Sequence, residues 1–260
     1  MLISAASITG DRKYQQDSYY YQKTENGVCC VICDGMGGRN GGEKASETAV
    51  EQLKKLLEQG AAQENIPEFY KKMAICMDEE IYGLTGDGGK LLGAGSTVVS
   101  AYLRKNELYW MSVGDSRIYI IRGNQIVSAA RPHNYQRILD ESLEMNEISE
   151  ADYQAERRKK DALTSYLGMG GIRFMEYNKS PFQLKKDDVI LLCSDGLYRA
   201  LTDEQIENIV EACRDNFLEV SDILMEITEE YGKRPLDNCT VIAIQYLKEN
   251  GGLDDEIEKM

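Results

Sequence analysis

The sequence predicts one α+β domain in which layered sheets carry helices on their outer faces. Three observations support this. Short apolar runs and amphipathic runs follow the order strands, helix pair, strands, helix pair, strand; no internal repeat or linker divides them; and 260 residues, 42% of them hydrophobic, suffice for one large packed core.

The elements follow in order. From Met1 to about Asp34 the runs LISAASI, DSYYYQK and VCCVIC are each bounded by Gly, Asp or Asn, so three consecutive strands of one antiparallel sheet are expected. Between Glu43 and Gln59, Ala45, Ala49, Leu53, Leu56 and Leu57 recur at helical spacing. A second helix is predicted from Pro67, a residue suited to a first turn, to about Tyr82. Beyond the Gly-rich stretch GLTGDGGKLLGAG come STVVSAYL, ELYWMSV, SRIYIIR and QIVSAA, and the turns RKNE and RGNQ between them predict a meander. Residues from about 131 to 161 are polar and carry both signs of charge, which predicts a flap of exposed helix or mobile chain. A hairpin region, the buried strand DVILLCSD, helices from Thr202 to about Cys213 and from about Leu218 to Tyr231, and the strand NCTVIAIQYL then complete one domain over residues 1–248. Residues 249–260 are expected to form a frayed tail.

Charge excludes one class of partner. Thirty Lys and Arg stand against 44 Asp and Glu, a formal charge of −14, and no concentrated basic face is available for a nucleic-acid backbone. No apolar run approaches the roughly 18 residues of a membrane span, and the N-terminus lacks a charged-then-apolar signal pattern. The expected compartment is the cytoplasm, and the chain is expected to be a monomer. An odd count of seven cysteines agrees with a reducing environment, and Cys29, Cys30, Cys33, Cys193 and Cys239 all fall in or beside apolar, strand-like runs as core residues.

Asp34 in ICDGMGG, Asp115 in SVGDSR, Asp195 in LLCSDGL and Asp237 in PLDNCT each stand where a strand is predicted to end, beside a Gly or another small residue. A carboxylate there is held rigidly by the sheet, and a neighbouring Gly lets backbone or a hydrated ion approach. Any one of them reads equally well as a turn marker. Four gathered at one point would repel by several kcal/mol unless a cation neutralised them. Oxygen ligands of this kind suit Mg²⁺ or Mn²⁺, whereas zinc recruits His or Cys, and the chain has a single histidine.

The motifs as an ordered set resemble the metal-dependent Ser/Thr protein phosphatases of type 2C, particularly bacterial members. Arg12-Lys13-Tyr14-Gln15-Gln16-Asp17 is similar to the opening R-x-x-N-Q-D motif, and Asp34-Gly35-Met36-Gly37-Gly38 to D-G-M-G-G. Gly95-Ser96-Thr97, Gly114-Asp115-Ser116-Arg117, Leu163-Thr164 with Leu167-Gly168, Ser194-Asp195-Gly196-Leu197, and Asp237-Asn238 with Thr240 follow in family order. The resemblance implies a four-layer α-β-β-α sandwich, two antiparallel sheets flanked by helix pairs. It implies that Asp34 bridges two metal ions, that the Gly35 carbonyl binds one and Asp195 and Asp237 the other, and that Asp115 with Asp195 holds a third, weaker ion. Asp17 would hold metal-bound water and Arg12 would grip the substrate phosphate. Two cations roughly 3.5–4 Å apart acidify a bridging water, giving a hydroxide that attacks phosphorus in line without a phosphoenzyme. The implied substrates are phosphoserine and phosphothreonine proteins, in opposition to a Ser/Thr kinase.

The chain departs from the family pattern where Gln15 replaces Asn, where T-x-D-H-S reads Ala130-Arg131-Pro132-His133-Asn134, and where Ser165 stands in place of an Arg. His133 is a candidate general acid or a structural residue. Two rival readings remain. Cys33 to Arg39 and Cys193 to Arg199 both fit C-x5-R, the thiolate phosphate cradle of cysteine phosphatases, although Asp34 or Asp195 would put negative charge beside the phosphate. A degenerate phosphatase fold serving as a binding module should have lost a metal carboxylate or Arg12, and this chain retains all of them.

Overall fold

The computed structural model describes residues 1–24, 27–38, 41–60 and 65–247. Along the chain come β1 (Leu2–Ile8), β2 (Asp17–Thr24), β3 (Gly27–Met36), α1 (Gly41–Glu58), α2 (Ile66–Tyr82), β4 (Gly95–Ser96), β5 (Val98–Arg104) and β6 (Glu107–Val113). Then follow β7 (Arg117–Ile121), β8 (Ile126–Ser128), α3 (Tyr135–Glu144), α4 (Glu150–Glu156), β9 (Glu176–Tyr177) and β10 (Phe182–Gln183). The last third holds β11 (Val189–Cys193), α5 (Asp195–Ala200), α6 (Asp203–Ala212), α7 (Val220–Tyr231) and β12 (Cys239–Gln245). One sheet runs β1-β12-β11-β7-β8 and the other β10-β6-β5-β3-β2, with β4 on β3 and β9 on β6; every pairing is antiparallel.

Three apolar layers separate four layers of structure. Cys29, Val31 and Cys33 pack under α1 and α2 with Ala49, Leu53 and Met73. The alternate residues Val28, Cys30 and Ile32 face the other sheet and meet Ile190, Leu192, Ile242 and Ile244. Beyond that sheet, Leu191, Val241 and Ala243 pack under α5, α6 and α7 with Ile206, Val210 and Leu224. The predicted four-layer sandwich is therefore the observed one, and β3, β11 and β12 read as continuous apolar runs because both their faces are covered. Edge strand β2 alternates instead, exposing Tyr19, Tyr21 and Lys23.

Helix boundaries follow local chemistry. Asn65 caps α2 by accepting from the Glu68 N–H at 3.2 Å, and Pro67 occupies its first turn. Thr202 and Gln205 form a capping box that starts α6.

Two pairings differ from expectation. β1 does not join β2 and β3; it crosses to the other sheet and pairs with β12 over its whole length, from Leu2↔Gln245 to Ile8↔Cys239. Strand propensity identifies the run, but the partner lies 231 or more positions away in the chain, a pairing that local patterning does not encode. The expected meander also splits. β5 and β6 belong to one sheet and β7 and β8 to the other, and the chain changes sheets at Gly114, whose φ of 106° brings it against Thr97. The six-residue α5 starts on Asp195, the last residue of the run read as a strand, and continues over residues 196–200, for which no element was expected. Residues 131–161 form α3 and α4, and Leu139 is the buried residue of that pair of helices.

Ile32, fully buried between the two sheets, tests the middle layer. Ile32→Ala is expected to lower unfolding stability by roughly 2–5 kcal/mol in urea titration at fixed metal concentration, through lost transfer energy and the cavity it leaves.

Candidate active site

The two sheets bring their loop-bearing edges together around Asp34. It lies inside β3 near its end rather than past the strand, directly opposite Asp17 of β2 in the antiparallel register. Like charges facing across a strand pair, about 5 Å apart at Cβ, oppose the pairing that holds them. Asp34 is fixed from the backbone: its N–H donates to Thr97 Oγ1 at 3.0 Å, and its carbonyl accepts from Thr97 N–H at 2.8 Å. Burial holds its carboxyl well above the usual range, and Asp17, Asp195, Asp115 and Asp237 each push it further up. Four carboxylates from four other segments of the chain thus act on one.

Each of the others has its own anchor. Asp17 Oδ2 accepts from Ser194 Oγ and from Thr240 Oγ1, both at 2.7 Å, so the other sheet reaches across to hold it. Its Oδ1 is buried with no hydrogen-bond partner. Burial raises the Asp17 carboxyl to about 6 against the opposing pull of the two hydroxyls. Asp195 opens α5 and is raised to about 7, again by burial, while Arg199 Nη2 at 2.8 Å opposes the rise. Asp115, in the turn where the chain changes sheets, is raised by burial and opposed by Arg199 and by a hydrogen bond from Tyr198. Asp237 Oδ2 accepts from Arg12 Nη2 at 2.7 Å, and Arg12 is more than half exposed. A side chain on Gly35 would collide with the Gly42 carbonyl oxygen, so only glycine permits this approach of β3 to α1.

All seven expected residues therefore meet at one cleft. Among the described residues no three Asp, Glu, His or Cys side chains form a ready chelate, because Asp237 is turned onto Arg12 and Asp195 onto Arg199. The donors nonetheless fit a hard divalent cation: they are oxygens throughout, Asp34 is raised by burial and by its carboxylate neighbours, and a buried Asp17 oxygen lacks any partner.

A family model described as protein phosphatase 2C matches residues 7–237. The chain belongs to the protein phosphatase 2C family. It is accordingly a protein serine/threonine phosphatase. The serine/threonine phosphatase stp of Listeria innocua is 30% identical over 218 residues, covering 83% of each chain. Protein phosphatase PhpP of Streptococcus pneumoniae is 24% identical, covering 98% of this chain and 94% of its own. The fold matches that of the Mycobacterium tuberculosis phosphatase PstP, with a TM-score of 0.77, 22% identity, and coverage of 95% and 99% of the two chains. A second structure of the PstP catalytic domain, in complex with two manganese ions, matches with a TM-score of 0.74.

Within this phosphatase 2C site several residues had no assigned role from sequence. Gln15, longer than the family Asn, donates to Ser7 Oγ at 2.9 Å and to the Ile8 carbonyl at 3.0 Å while its Oε1 accepts the Asp17 N–H. Ser7 meets Thr240, which meets Asp17, so the ring of hydroxyls closes on the carboxylate it supports. Asn238 accepts from the Gln16 N–H and donates to the Thr9 and Tyr14 carbonyls, folding the loop that carries Arg12. Asp195 and Arg199 pair at i,i+4 within α5, a helix not expected from the sequence, and the contacts across sheets were not readable either.

The departures and rivals resolve physically. Ser165, fully buried, donates to and accepts from the Phe174 backbone, leaving no space for an arginine. Asn134 caps α3. His133 is buried, depressed to about 4 by desolvation, and its Nδ1 accepts from the Gly114 N–H at 3.1 Å, so it is a neutral structural residue and not a general acid. Arg39 lies outside the described residues. Cys33 and Cys193 are fully buried, and burial pushes the Cys193 thiol up to about 12 and Cys33 higher still, leaving neither as a thiolate nucleophile. Cys30 and Cys33 face different apolar layers, as their strand positions require.

The raised carboxyls predict an inverted pH dependence in EDTA. Asp17 and Asp195, at about 6 and about 7 against an ordinary 3.8, keep protons when folded that the unfolded chain releases, so the folded state loses stability as pH rises through this interval. The melting temperature in EDTA is expected to rise as pH falls from about 8 to about 5.5. Asp195→Asn should flatten that slope and raise the pH 8 value by a few degrees, at roughly 2–4 °C per kcal/mol. Calorimetry across pH checks both.

Proposed function

We propose that the cleft hydrolyses phosphoserine and phosphothreonine esters on proteins with Mg²⁺ or Mn²⁺ as cofactor, by direct attack of water and without a phosphoenzyme. The observation that carries this is the convergence of five carboxylates from five separate segments of the chain on one point, four of them destabilising the charge of Asp34. A scaffold that tolerates such repulsion is suited to cations. On this reading Asp34 serves two ions, the Gly35 carbonyl one of them, Asp195 and Asp237 the other, and Asp115 a third. The ions supply, when bound, positive charge that acidifies water and offsets charge on the transferring phosphoryl group.

The chain's own groups do the rest. Arg12, exposed and hydrogen-bonded to Asp237 through Nη2, is placed to exchange that carboxylate for a substrate phosphate, which its guanidinium fork can hold by two charge-assisted hydrogen bonds. Asp17 presents Oδ1 without a partner while Ser194 and Thr240 fix Oδ2, so Oδ1 is the oxygen that accepts a hydrogen bond from the attacking water. Neither Cys33 nor Cys193 can act as a nucleophile toward phosphorus in this arrangement, since both thiols are fully buried and held protonated. Residues 1–248 would constitute one catalytic domain with the flap at 131–161 inserted in it, a reading supported by the span of the family match. The names of the Listeria and Streptococcus relatives support phosphoprotein substrates, and a phosphatase of such substrates would oppose a Ser/Thr kinase. Among the described residues no helix is long and apolar enough to cross a membrane.

With Mn²⁺, purified protein should hydrolyse a chromogenic phosphate ester and lose that activity in EDTA; turnover that survives EDTA contradicts the proposal. Asp34→Ala and Asp195→Ala should each lower kcat by about 10³-fold or more, the equivalent of several kcal/mol of lost transition-state stabilisation. Arg12→Ala should act mainly on KM, raising it roughly tenfold through the loss of a charge-assisted contact. Steady-state kinetics on the ester distinguish these outcomes.

A further inference from the structure

Two of the gathered carboxylates, Asp115 and Asp195, share a cation that the chain itself supplies. Arg199 stands one helical turn after Asp195 in α5, which sets the two side chains on one face, and its Nη2 lies 2.8 Å from Asp195 Oδ2. Asp115 and Asp195 are buried, whereas the Arg199 side chain is 43% exposed, so the guanidinium stands at the solvent edge of the pair.

The start of α5 is tied to the turn that carries Asp115. Burial pushes the Asp115 carboxyl up, and the pull against it comes first from Arg199 and next from a hydrogen bond donated by Tyr198. The Arg117 guanidinium, two residues beyond Asp115, lies over the Tyr198 ring at 3.8 Å. Arg117 is committed to other partners, donating to Tyr119 Oη at 2.6 Å and to Asp203 Oδ1 at 3.4 Å. The positive charge that reaches Asp115 is therefore that of Arg199. Burial disfavours this charge, but Asp195, Asp161 and Asp115 all favour it, and the guanidinium is held more firmly charged than usual.

A guanidinium and a divalent ion repel each other and cannot both sit in contact with the same two carboxylates. Arg199 is also tethered within one turn of Asp195, so it competes as if present at millimolar concentration or above, whatever the metal concentration outside. We propose that Arg199 stands in for a third metal ion at Asp115 and Asp195, so that the chain takes two core ions and admits a third only when the guanidinium is displaced. This rests on the metal-dependent reading of the cleft and refines it. The core ions keep their ligands, because a carboxylate has two oxygens and Asp195 can serve a core ion while Oδ2 stays on Arg199.

The test is a count of bound ions. Mn²⁺ is titrated into metal-free wild type, Arg199→Met and Arg199→Gln at pH 8, and free Mn²⁺ is read from its electron paramagnetic resonance signal. Both substitutions remove the charge while keeping a side chain of similar reach, so either one that retains a cooperative melting transition suffices. Wild type should bind two ions, and the variants should bind a third roughly tenfold or more tightly than wild type does, as expected for loss of a partly exposed charge-assisted contact. Adding Asp115→Asn to Arg199→Met should abolish the third binding event and leave the first two. Variants that stop at two ions, a third ion bound equally well by wild type, or a third ion that survives Asp115→Asn would overturn the proposal and leave the two-ion reading standing. No bound ion in any of these proteins would sink the metal-dependent reading itself, and the proposal with it.

Discussion

Mutual repulsion among buried carboxylates is the constraint on which this structure depends. Asp17 and Asp34 face each other across paired strands, and Asp115, Asp195 and Asp237 press on Asp34 from the other sheet and its loops. In a loose scaffold these groups would move apart into water. Here they cannot, because β3, which carries Asp34, and β11 and β12, which flank Asp195 and Asp237, are covered by apolar layers on both faces, and β2, which carries Asp17, is paired to β3 along its length. The sandwich is best understood as the frame that keeps like charges together, and stability surrendered at the cleft is offset in the three layers of core.

How the charges are tolerated differs from one to the next. Asp17 is satisfied on one oxygen by hydroxyls of the opposite sheet and left bare on the other. Asp195 and Asp237 lean on arginines at the rim, both of them partly exposed and able to swing away. Asp34 has neither arrangement, and burial and repulsion both act against its charge. A divalent cation would relieve all three situations at once, releasing Arg12 toward solvent and a phosphate. The same acidity that keeps an anion out of the cleft in the absence of metal is what draws in the ions that would bind it.

Much of this was legible in the sequence. The glycines and small residues beside Asp34, Asp115, Asp195 and Asp237 marked the points where strands give way to a site, and the alternating order of strands and helix pairs gave the layers. What was not legible was partnership across the sheets. Nothing local to LISAASI says that it pairs with β12, and nothing in SVGDSR says that the chain changes sheets at Gly114. For the same reason Ser194, Thr240, Gln15 and Asn238 stood as motif letters without roles until the structure joined residues more than 200 positions apart into one hydrogen-bonded ring. His133 shows the converse: its rarity in the sequence suggested chemistry, and its burial assigns it to support of the Gly114 turn.

The central claim is that these carboxylates are held together in order to be neutralised by cations. Isothermal titration of Mn²⁺ into metal-free protein near pH 6.5, repeated in two buffers of different ionisation enthalpy, measures it directly. The account predicts binding of at least two ions per chain with net release of protons, since Asp195 at about 7 and Asp17 at about 6 give up protons to the metal. Absence of binding, or binding of Mn²⁺ with no proton release at that pH, would contradict it.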